Sequence, residues 1–275
     1  MLGIRQSQAG VLETTSLEGY PVDVVLLYAV IFAFVIAFVF SMFGQGGGSV
    51  YSPLLILLGY AVLVSTSTSL FLNLITSLSA GYIFYRNKLI DIKASLLFVP
   101  GIGFGAFVGG ALSAFVEGVY VMWLFVVFLG VIGARMIYTY WERGTTEGAY
   151  PEVLPTKMKV LVILFSFAVG FISGLLGVGG GVFIVPFMVY VCKYPTKFAA
   201  GSSHLIISFS AFFGIVGHAA FHSLDLLLIA ATGMAVLVGG NLGARASMKM
   251  KVQGIKAGLG LIMWILAVML LVQII

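Results

Sequence analysis

The sequence predicts an all-α fold: a polytopic membrane helix bundle of about ten transmembrane segments, two of them short or broken. Of 275 residues, 61% are hydrophobic and 8% are charged, whereas a soluble domain carries roughly 45–50% apolar and about 25% charged residues. Stretches such as residues 22–42 are almost uniformly apolar, while the strands of a membrane barrel alternate apolar and polar residues. Because lipid offers the backbone no hydrogen-bond partners, these stretches must be helices.

A transmembrane helix needs about 20 apolar residues. The sequence offers segments at 22–43, 49–64, 66–86, 94–116, 119–141, 158–176, 181–192, 197–221, 224–246 and 254–275. The segments 49–64 and 181–192 are too short to cross the bilayer comfortably, and each follows a glycine cluster. We interpret them as broken or re-entrant helices.

The polar parts of the chain divide it into regions. Residues 1–20 form a polar N-terminal tail that lacks the pattern of a signal peptide. Residues 142–157 form a polar central loop between a first membrane repeat, 21–141, and a second, 158–275. If the segments alternate in direction, every Lys and Arg except Arg5 lies on one face. The positive-inside rule then places that face in the cytoplasm and both termini outside the cytoplasmic membrane, so the net charge of +5 requires no nucleic-acid partner.

A glycine-rich motif occurs once in each half. Residues 44–48 read Gly-Gln-Gly-Gly-Gly and are followed by Pro53, and residues 177–181 read Gly-Val-Gly-Gly-Gly and are followed by Pro186. Further matches are Asp91 with Asp225, and Gly109-Gly110 with Gly239-Gly240. Each half holds five segments, an odd number, so the second half inserts upside down relative to the first. The expected architecture is two five-segment inverted repeats, as in many secondary transporters.

These motifs resemble the sulfite exporter TauE/SafE family, also called the toluene sulfonate uptake permease group. The resemblance rests on the duplicated glycine motif with its proline, on the Ser/Thr-rich start of the next helix, and on the stretches 86–91 and 218–225. It covers the chain from about residue 22 to residue 275. It implies transport of sulfite, sulfonates or related small organic anions, across the membrane lipid.

The glycine clusters are the candidate substrate site. Each bend creates a helix N-terminus, near Ser49 and Val182, where unpaired N–H groups and the helix dipole attract negative charge. An oxyanion can thus be bound without a buried lysine or arginine. The alternative is that the glycines only permit close helix packing. The candidate residues are Gln45, Gly46, Gly47, Gly48, Gly179, Gly180 and Gly181.

A polar lining is expected beside these bends. Its candidate members are Ser67, Thr68, Asn73, Ser202, Ser203 and His204. The hydroxyl groups either donate to the anion or bond to backbone carbonyls within and between helices. His204 either takes part in proton coupling or substrate contact, or is a neutral histidine bonded to a neighbouring helix.

Other motifs have simpler explanations. Gly101, Gly105 and Gly109, like Gly239 and Gly243, form small-residue stripes for helix contact. His218 and His222 are four residues apart, but only Asp225 offers a third ligand, so we expect no metal. The sequence contains no Walker loop, zinc-protease helix or nucleophile elbow, and we therefore expect neither an enzyme nor a cofactor.

The sequence therefore predicts a secondary transporter that moves a small anion by alternating access, with a coupled proton or other ion as a further partner. A passive anion channel is the alternative. A membrane enzyme or assembly factor is disfavoured because no catalytic residues cluster.

Overall fold

A computed structural model describes residues 22–141, 155–219, 224–249 and 253–275. All regular secondary structure among the described residues is helical. The helices are α1 Val22–Ser41, α2 Gly48–Leu57, α3 Val62–Arg86, α4 Ile92–Leu112, α5 Gly118–Trp141, α6 Thr156–Leu176, α7 Gly181–Pro186, α8 Thr196–Ala219, α9 Leu226–Lys249 and α10 Gln253–Ile274. A 3₁₀ turn, Ser113–Phe115, follows α4, and a π-helical turn, Phe187–Val191, follows α7. The predicted tail 1–20 and most of the central loop 142–157 lie outside the described residues, and α6 already begins at Thr156.

Within the described part of the chain, seven helices are long and apolar enough to cross a membrane. The polytopic helix bundle predicted from composition is thereby confirmed. Helices α2 and α7 are short, as the glycine clusters predicted. The third predicted segment starts earlier than expected, because a tight turn ends α2 near Gly59 and α3 begins at Val62.

The two glycine loops interrupt their helices in the same way. The backbone at Gly44, Gly46 and Gly47 has φ of 73°, 74° and 100°, and at 177, 179 and 180 it has φ of 72°, 78° and 78°. A side chain is strained in this left-handed region, whereas glycine adopts it readily. We define residues 42–47 as the first glycine loop and residues 177–180 as the second. The second residue of each motif, Gln45 or Val178, keeps a negative φ.

Helices α4 and α6 approach until backbone meets backbone. A Cβ atom on Gly105 would lie 2.3 Å from the carbonyl oxygen of Phe167, and one on Gly109 would lie 2.1 Å from that of Phe171. No side chain fits at such distances. The predicted small-residue stripe is therefore a helix contact, of the kind membrane proteins use because lipid leaves packing as the main attraction between helices.

Helices α1 and α9 meet through an equivalent contact. A Cβ atom on Gly243 would lie 2.0 Å from the carbonyl oxygen of Phe38, just as Gly109 faces Phe171. This contact pairs Gly109 with Gly243. The predicted match of residues 109–110 with 239–240 is therefore wrong by one helical turn, because sequence alone offered several small residues for the same alignment.

Helices α4 and α9 also begin alike. The carboxylate of Asp91 accepts a hydrogen bond from the Ala94 N–H at 3.0 Å, and that of Asp225 accepts one from the Leu228 N–H at 2.9 Å. Both acids are N-caps, which satisfy an otherwise unpaired amide of the first turn. Between them, α3 and α8 form the centre of the bundle, because they pack on each other and each packs on α4 or α9.

Candidate functional site

The two glycine loops meet in the interior. Asn73 of α3 joins them: its Oδ1 accepts a hydrogen bond from the Gly48 N–H at 3.0 Å, and its Nδ2 donates to the Gly177 carbonyl at 3.2 Å. A Cβ atom on Gly181 would lie 2.7 Å from the Cα of Gln45. The described residues of both loops are buried. The loops therefore form one enclosed backbone junction rather than two separate bends.

Each loop is also held by a serine from the opposite half. The Ser69 hydroxyl of α3 donates to the Gly177 carbonyl at 2.7 Å, and the Ser203 hydroxyl of α8 donates to the Gly44 carbonyl. Both serine side chains are fully buried. Ser69 and Ser203 thus occupy equivalent places, and they set the correspondence between α3 and α8 used below.

The junction is chemically asymmetric. In the correspondence set by these serines, Ile207 replaces Asn73, and a Cβ atom on Gly181 would lie 2.5 Å from the Ile207 Cδ1. Val178 likewise stands where the other loop has Gln45. The first N–H of α2 therefore has a side-chain acceptor, whereas the first turn of α7 faces an aliphatic side chain.

Several buried polar atoms near the start of α2 and along α3 have no hydrogen-bond partner among the described residues. Buried polar groups are nearly always paired, so a cluster of unpaired ones requires an explanation such as a missing ligand or water. The unpaired atoms are Gln45 Oε1 and the hydroxyls of Ser49, Ser52, Thr68 and Ser77. Of these residues, Gln45 lies in the first loop, Ser49 follows Gly48, and Ser77 lies beside Gly46, so the junction has uncharged hydrogen-bonding groups that the described residues do not use.

His204 lies beside the first loop on α8. Its Nε2–H donates to the Ser41 carbonyl at 3.0 Å, and its ring packs on Phe84 at 5.4 Å between centroids. The Nδ1 atom, which then carries the lone pair, has no partner among the described atoms. The structure is thus compatible with both interpretations of His204: Nε2 bonds to a neighbouring segment, and Nδ1 remains available for a proton or substrate.

Some predicted site residues make local contacts and do not touch the opposite glycine loop. The Ser67 hydroxyl donates to its own helix at the Leu63 carbonyl, at 2.9 Å, and the Ser202 hydroxyl accepts a hydrogen bond from the Asp91 N–H at 2.9 Å. Gly47 and Gly180 are the N-caps of α2 and α7, and a Cβ on either would meet side chains of the surrounding helices, for Gly47 including the Tyr51 hydroxyl, instead of the other loop. These four positions shape the local backbone.

Sequence reasoning did not select two residues that the structure brings to the junction. Ser69 and Ser77 lie four residues before and four residues after Asn73, and residues at this spacing share one face of a helix. That spacing was the available signal. Burial confirms the shared face, because all three side chains are at most 1% exposed.

Two further side chains, His218 and Cys192, are buried in contact with neighbouring helices or connections. The His218 Nε2–H donates to the Gly174 carbonyl at 2.9 Å, and Nδ1 lies 3.3 Å from the Ser113 hydroxyl; His222 lies outside the described residues. Cys192, in the connection before α8, is a buried free thiol.

Comparison with known proteins agrees with this architecture. The family described as Sulfite exporter TauE/SafE matches residues 29–270. The chain belongs to this family. As a TauE/SafE protein it is a multi-pass membrane transporter, and the family is one of transporters, not enzymes. The resemblance inferred from the duplicated glycine motif is thereby confirmed.

Individual TauE/SafE relatives cover most of the chain. A protein of Bacillus subtilis (strain 168), named Probable membrane transporter protein YunE, is 29% identical over 236 residues, which are 78% of this chain and 86% of the relative. Probable membrane transporter protein MJ0441 of Methanocaldococcus jannaschii is 29% identical over 196 residues, 69% of this chain and 70% of the relative. A Probable membrane transporter protein of Xylella fastidiosa (strain 9a5c) is 25% identical over 220 residues, 76% and 79% of the two chains. No solved structure matches the chain.

Proposed function

We propose that this TauE/SafE protein is a secondary transporter that carries a small anion, such as sulfite, a sulfonate or a related organic anion, across the cytoplasmic membrane by alternating access. The observation that carries the proposal is the buried junction of two glycine loops, one from each half. Interrupted helices at membrane depth are tolerated where the freed backbone meets protein or lines a cavity, and transporters place substrates at such interruptions.

The proposed site binds with uncharged donors. No Lys, Arg, Asp or Glu side chain is buried among the described residues, so hydroxyl, carboxamide and backbone N–H groups would hold the anion. Such a site suits transport because hydrogen bonds to a charged group contribute roughly 1.5–3 kcal/mol each, enough for selection without permanent capture. The proposed ligands are Gln45, Gly46, Gly179, Gly181, Thr68 and Asn73, with His204 at the edge of the first loop; the Gly48 N–H and the Ser203 hydroxyl already donate within the protein.

Alternating access would use two inverted repeats. The recurrence of loop conformation, of the serine contacts on Gly44 and Gly177, and of the caps at Asp91 and Asp225 supports an internal duplication. An odd number of segments in each half gives the two halves opposite orientations. We place the basic loops in the cytoplasm and both termini outside, by the positive-inside rule. His204, with one free nitrogen, is the proposed site for a coupled proton.

Flux measurements test the function. Purified protein in proteoliposomes should take up sulfite or methanesulfonate with saturable kinetics, and internal unlabelled anion should accelerate entry of labelled anion. A passive channel would instead give anion currents in a planar bilayer without this counterflow. Channel currents, or no flux of any small anion by folded protein, would contradict the proposal.

Gln45→Leu tests the site. The substitution keeps the volume and removes a carboxamide whose oxygen has no partner among the described residues, so folding should not suffer. Loss of the hydrogen bond that the Gln45 Nε2–H would donate to the anion should raise KM by about ten- to a hundredfold, and Gln45→Glu should raise it further by charge repulsion. The matched controls are Gln273→Leu and Gln273→Glu at an exposed position of α10. If the Gln45 variants transport the anion as well as the Gln273 variants do, Gln45 does not belong to the site.

A further inference from the structure

A groove of about 440 Å³ lies on the outside of the bundle, between α3, α4 and α8. We call it the lateral groove. Its walls consist mainly of large apolar side chains that face outward. Among them, Leu78, Tyr82, Tyr85, Ile92 and Leu96 are between 46% and 60% exposed. In a membrane, apolar surface on the outside of a helix bundle faces the lipid, so the groove is open to the bilayer.

The residues that border the groove from the inside leave it apolar. The Ser77 side chain is only 1% exposed, and the Ser208 hydroxyl donates to the carbonyl of His204 at 2.8 Å. Gly81 has no side chain, and among the described atoms a Cβ there would meet only the Cβ of His204, at 3.5 Å. The glycine therefore leaves space in the groove. Its volume lies in the range of sites that hold small ligands, roughly 300–1,000 Å³.

One end of the lateral groove is basic. Arg86 follows the lining residue Tyr85, and its guanidinium carbon lies 5.9 Å from the ring centroid of Tyr82, which also lines the groove. Lys93 follows the lining residue Ile92, and both cations are exposed. Tyrosine favours the boundary between hydrocarbon and headgroups, and basic pockets between transmembrane helices bind anionic headgroups. The groove thus joins an apolar slot to a positive end.

The connection between α3 and α4 carries more cations than acids. Lys88 is a third exposed cation in this stretch of chain. The acid of the same stretch, Asp91, accepts hydrogen bonds from the Ala94 N–H at 3.0 Å and from the Tyr194 hydroxyl at 3.1 Å. Residues 86–93 therefore hold three cations and one acid, and the field at this end of the groove favours negative charge.

The corresponding positions of the other half lack these features. In the correspondence set by Ser69 and Ser203, Gly81 is replaced by Ile215, Tyr82 by Val216 and Lys93 by Leu227. A branched side chain thus stands where the groove needs space, and hydrocarbon stands where its end has a tyrosine and a cation. The lateral groove is a feature of one half and does not follow from the duplication.

We propose that the lateral groove binds an anionic phospholipid of the bilayer, with an acyl chain along the apolar walls and the phosphate held by Arg86 and Lys93. The walls accept the hydrocarbon of any lipid, so the two cations supply the preference for a negative headgroup. The guanidinium of Arg86 matches the geometry of a phosphate, and the ammonium of Lys93 adds a point charge. A lipid in this place contacts helices of both halves, because α8 belongs to the second. It should therefore stabilise the folded protein.

Thermal unfolding in detergent over a range of added lipid tests the headgroup preference. Dioleoyl phosphatidylglycerol should raise the midpoint more than dioleoyl phosphatidylcholine, which has the same acyl chains and no net charge. Arg86→Gln/Lys93→Gln should bind phosphatidylglycerol about tenfold more weakly or worse. The matched control is Arg245→Gln/Lys249→Gln, which removes the same two charges from exposed positions of α9 and should bind like the parent. Equal weakening in both double variants, or equal stabilisation of the parent by both lipids, would overturn the proposal.

Native mass spectrometry tests the groove itself. The parent, released from detergent with added dioleoyl phosphatidylglycerol, should retain the lipid. Gly81→Leu fills the groove without changing the charge and should lose most of it. Gly130→Leu on α5, where a Cβ would meet none of the described atoms within 4 Å, is the matched control and should retain it. Retention by Gly81→Leu at the level of the parent would also overturn the proposal. Neither measurement involves transport, so its outcome is distinct from that of the proposed transport function.

Discussion

The Gly177 carbonyl provides a quantitative test of how the junction is held together. It accepts hydrogen bonds from Ser69, at 2.7 Å, and from Asn73, at 3.2 Å. Ser69→Ala leaves the second donor in place and should lower the free energy of unfolding by about 1 kcal/mol. Asn73→Ala also leaves the N–H of Gly48 without its acceptor, and this variant should lower the free energy of unfolding by about 2–4 kcal/mol.

The double variant Ser69→Ala/Asn73→Ala should lower the free energy of unfolding by more than the sum of the two single variants. With both donors removed, the buried Gly177 carbonyl is left bare, and a buried unpaired polar group costs about 1–3 kcal/mol. A coupling free energy of about 1 kcal/mol or more is therefore expected. Because the acceptor is shared, the sign of the coupling is fixed by the geometry even though each single value depends on local relaxation.

The measurement is equilibrium unfolding in mixed micelles of increasing sodium dodecyl sulfate fraction, followed by circular dichroism, for the parent, both single variants and the double variant. Ser67→Ala is the control, because its hydroxyl bonds only to carbonyls of its own helix, and it should shift the free energy by less than about 0.5 kcal/mol. Additivity of Ser69→Ala and Asn73→Ala within about 0.3 kcal/mol would refute the shared-acceptor geometry.

Three further predictions concern packing, capping and the thiol. Gly109→Leu should block folding, because its Cβ would lie 2.1 Å from a carbonyl of α6, whereas Gly130→Ala should be tolerated; yield of monodisperse protein in detergent distinguishes them. Asp91→Ala and Asp225→Ala should each lower the free energy of unfolding by about 1 kcal/mol through loss of an N-cap, and equal stability to the parent in thermal unfolding would contradict this. Cys192, a buried thiol, should resist iodoacetamide at pH 7.5 and react once the protein is unfolded; rapid labelling of the folded protein would show that the thiol is accessible.

Much of the fold could be predicted because the bilayer leaves few choices. Long apolar runs must be helices, and glycine clusters with a following proline predicted where two of them break. The stripe Gly101, Gly105 and Gly109 predicted a close contact, which α6 provides. The sequence did not determine which residue of one half corresponds to which residue of the other. Each half contains several small residues that align equally well, and only their contacts in the structure distinguish them.

The polar lining was harder to predict because a hydroxyl in a helix has two competing uses. Ser67 donates to a carbonyl of its own helix, and Ser202 accepts from the Asp91 N–H, as serine commonly does in membranes. In the sequence, such a serine looks the same as one that would bind substrate. Asn73 reaches the junction as predicted, yet both ends of its carboxamide are already engaged with backbone. Ser77 could be recognised only from its spacing to Asn73, since its lack of a partner depends on residues distant in sequence.

The crossed serine contacts constrain how the junction can move. Ser69 holds the loop of the second half, and Ser203 holds the loop of the first. A shift of either loop away from that helix breaks a hydrogen bond that contributes only about 1 kcal/mol. The two contacts therefore join the halves of the chain at the junction, yet thermal motion suffices to break each of them, so they would not prevent the movement that the proposed alternating access requires.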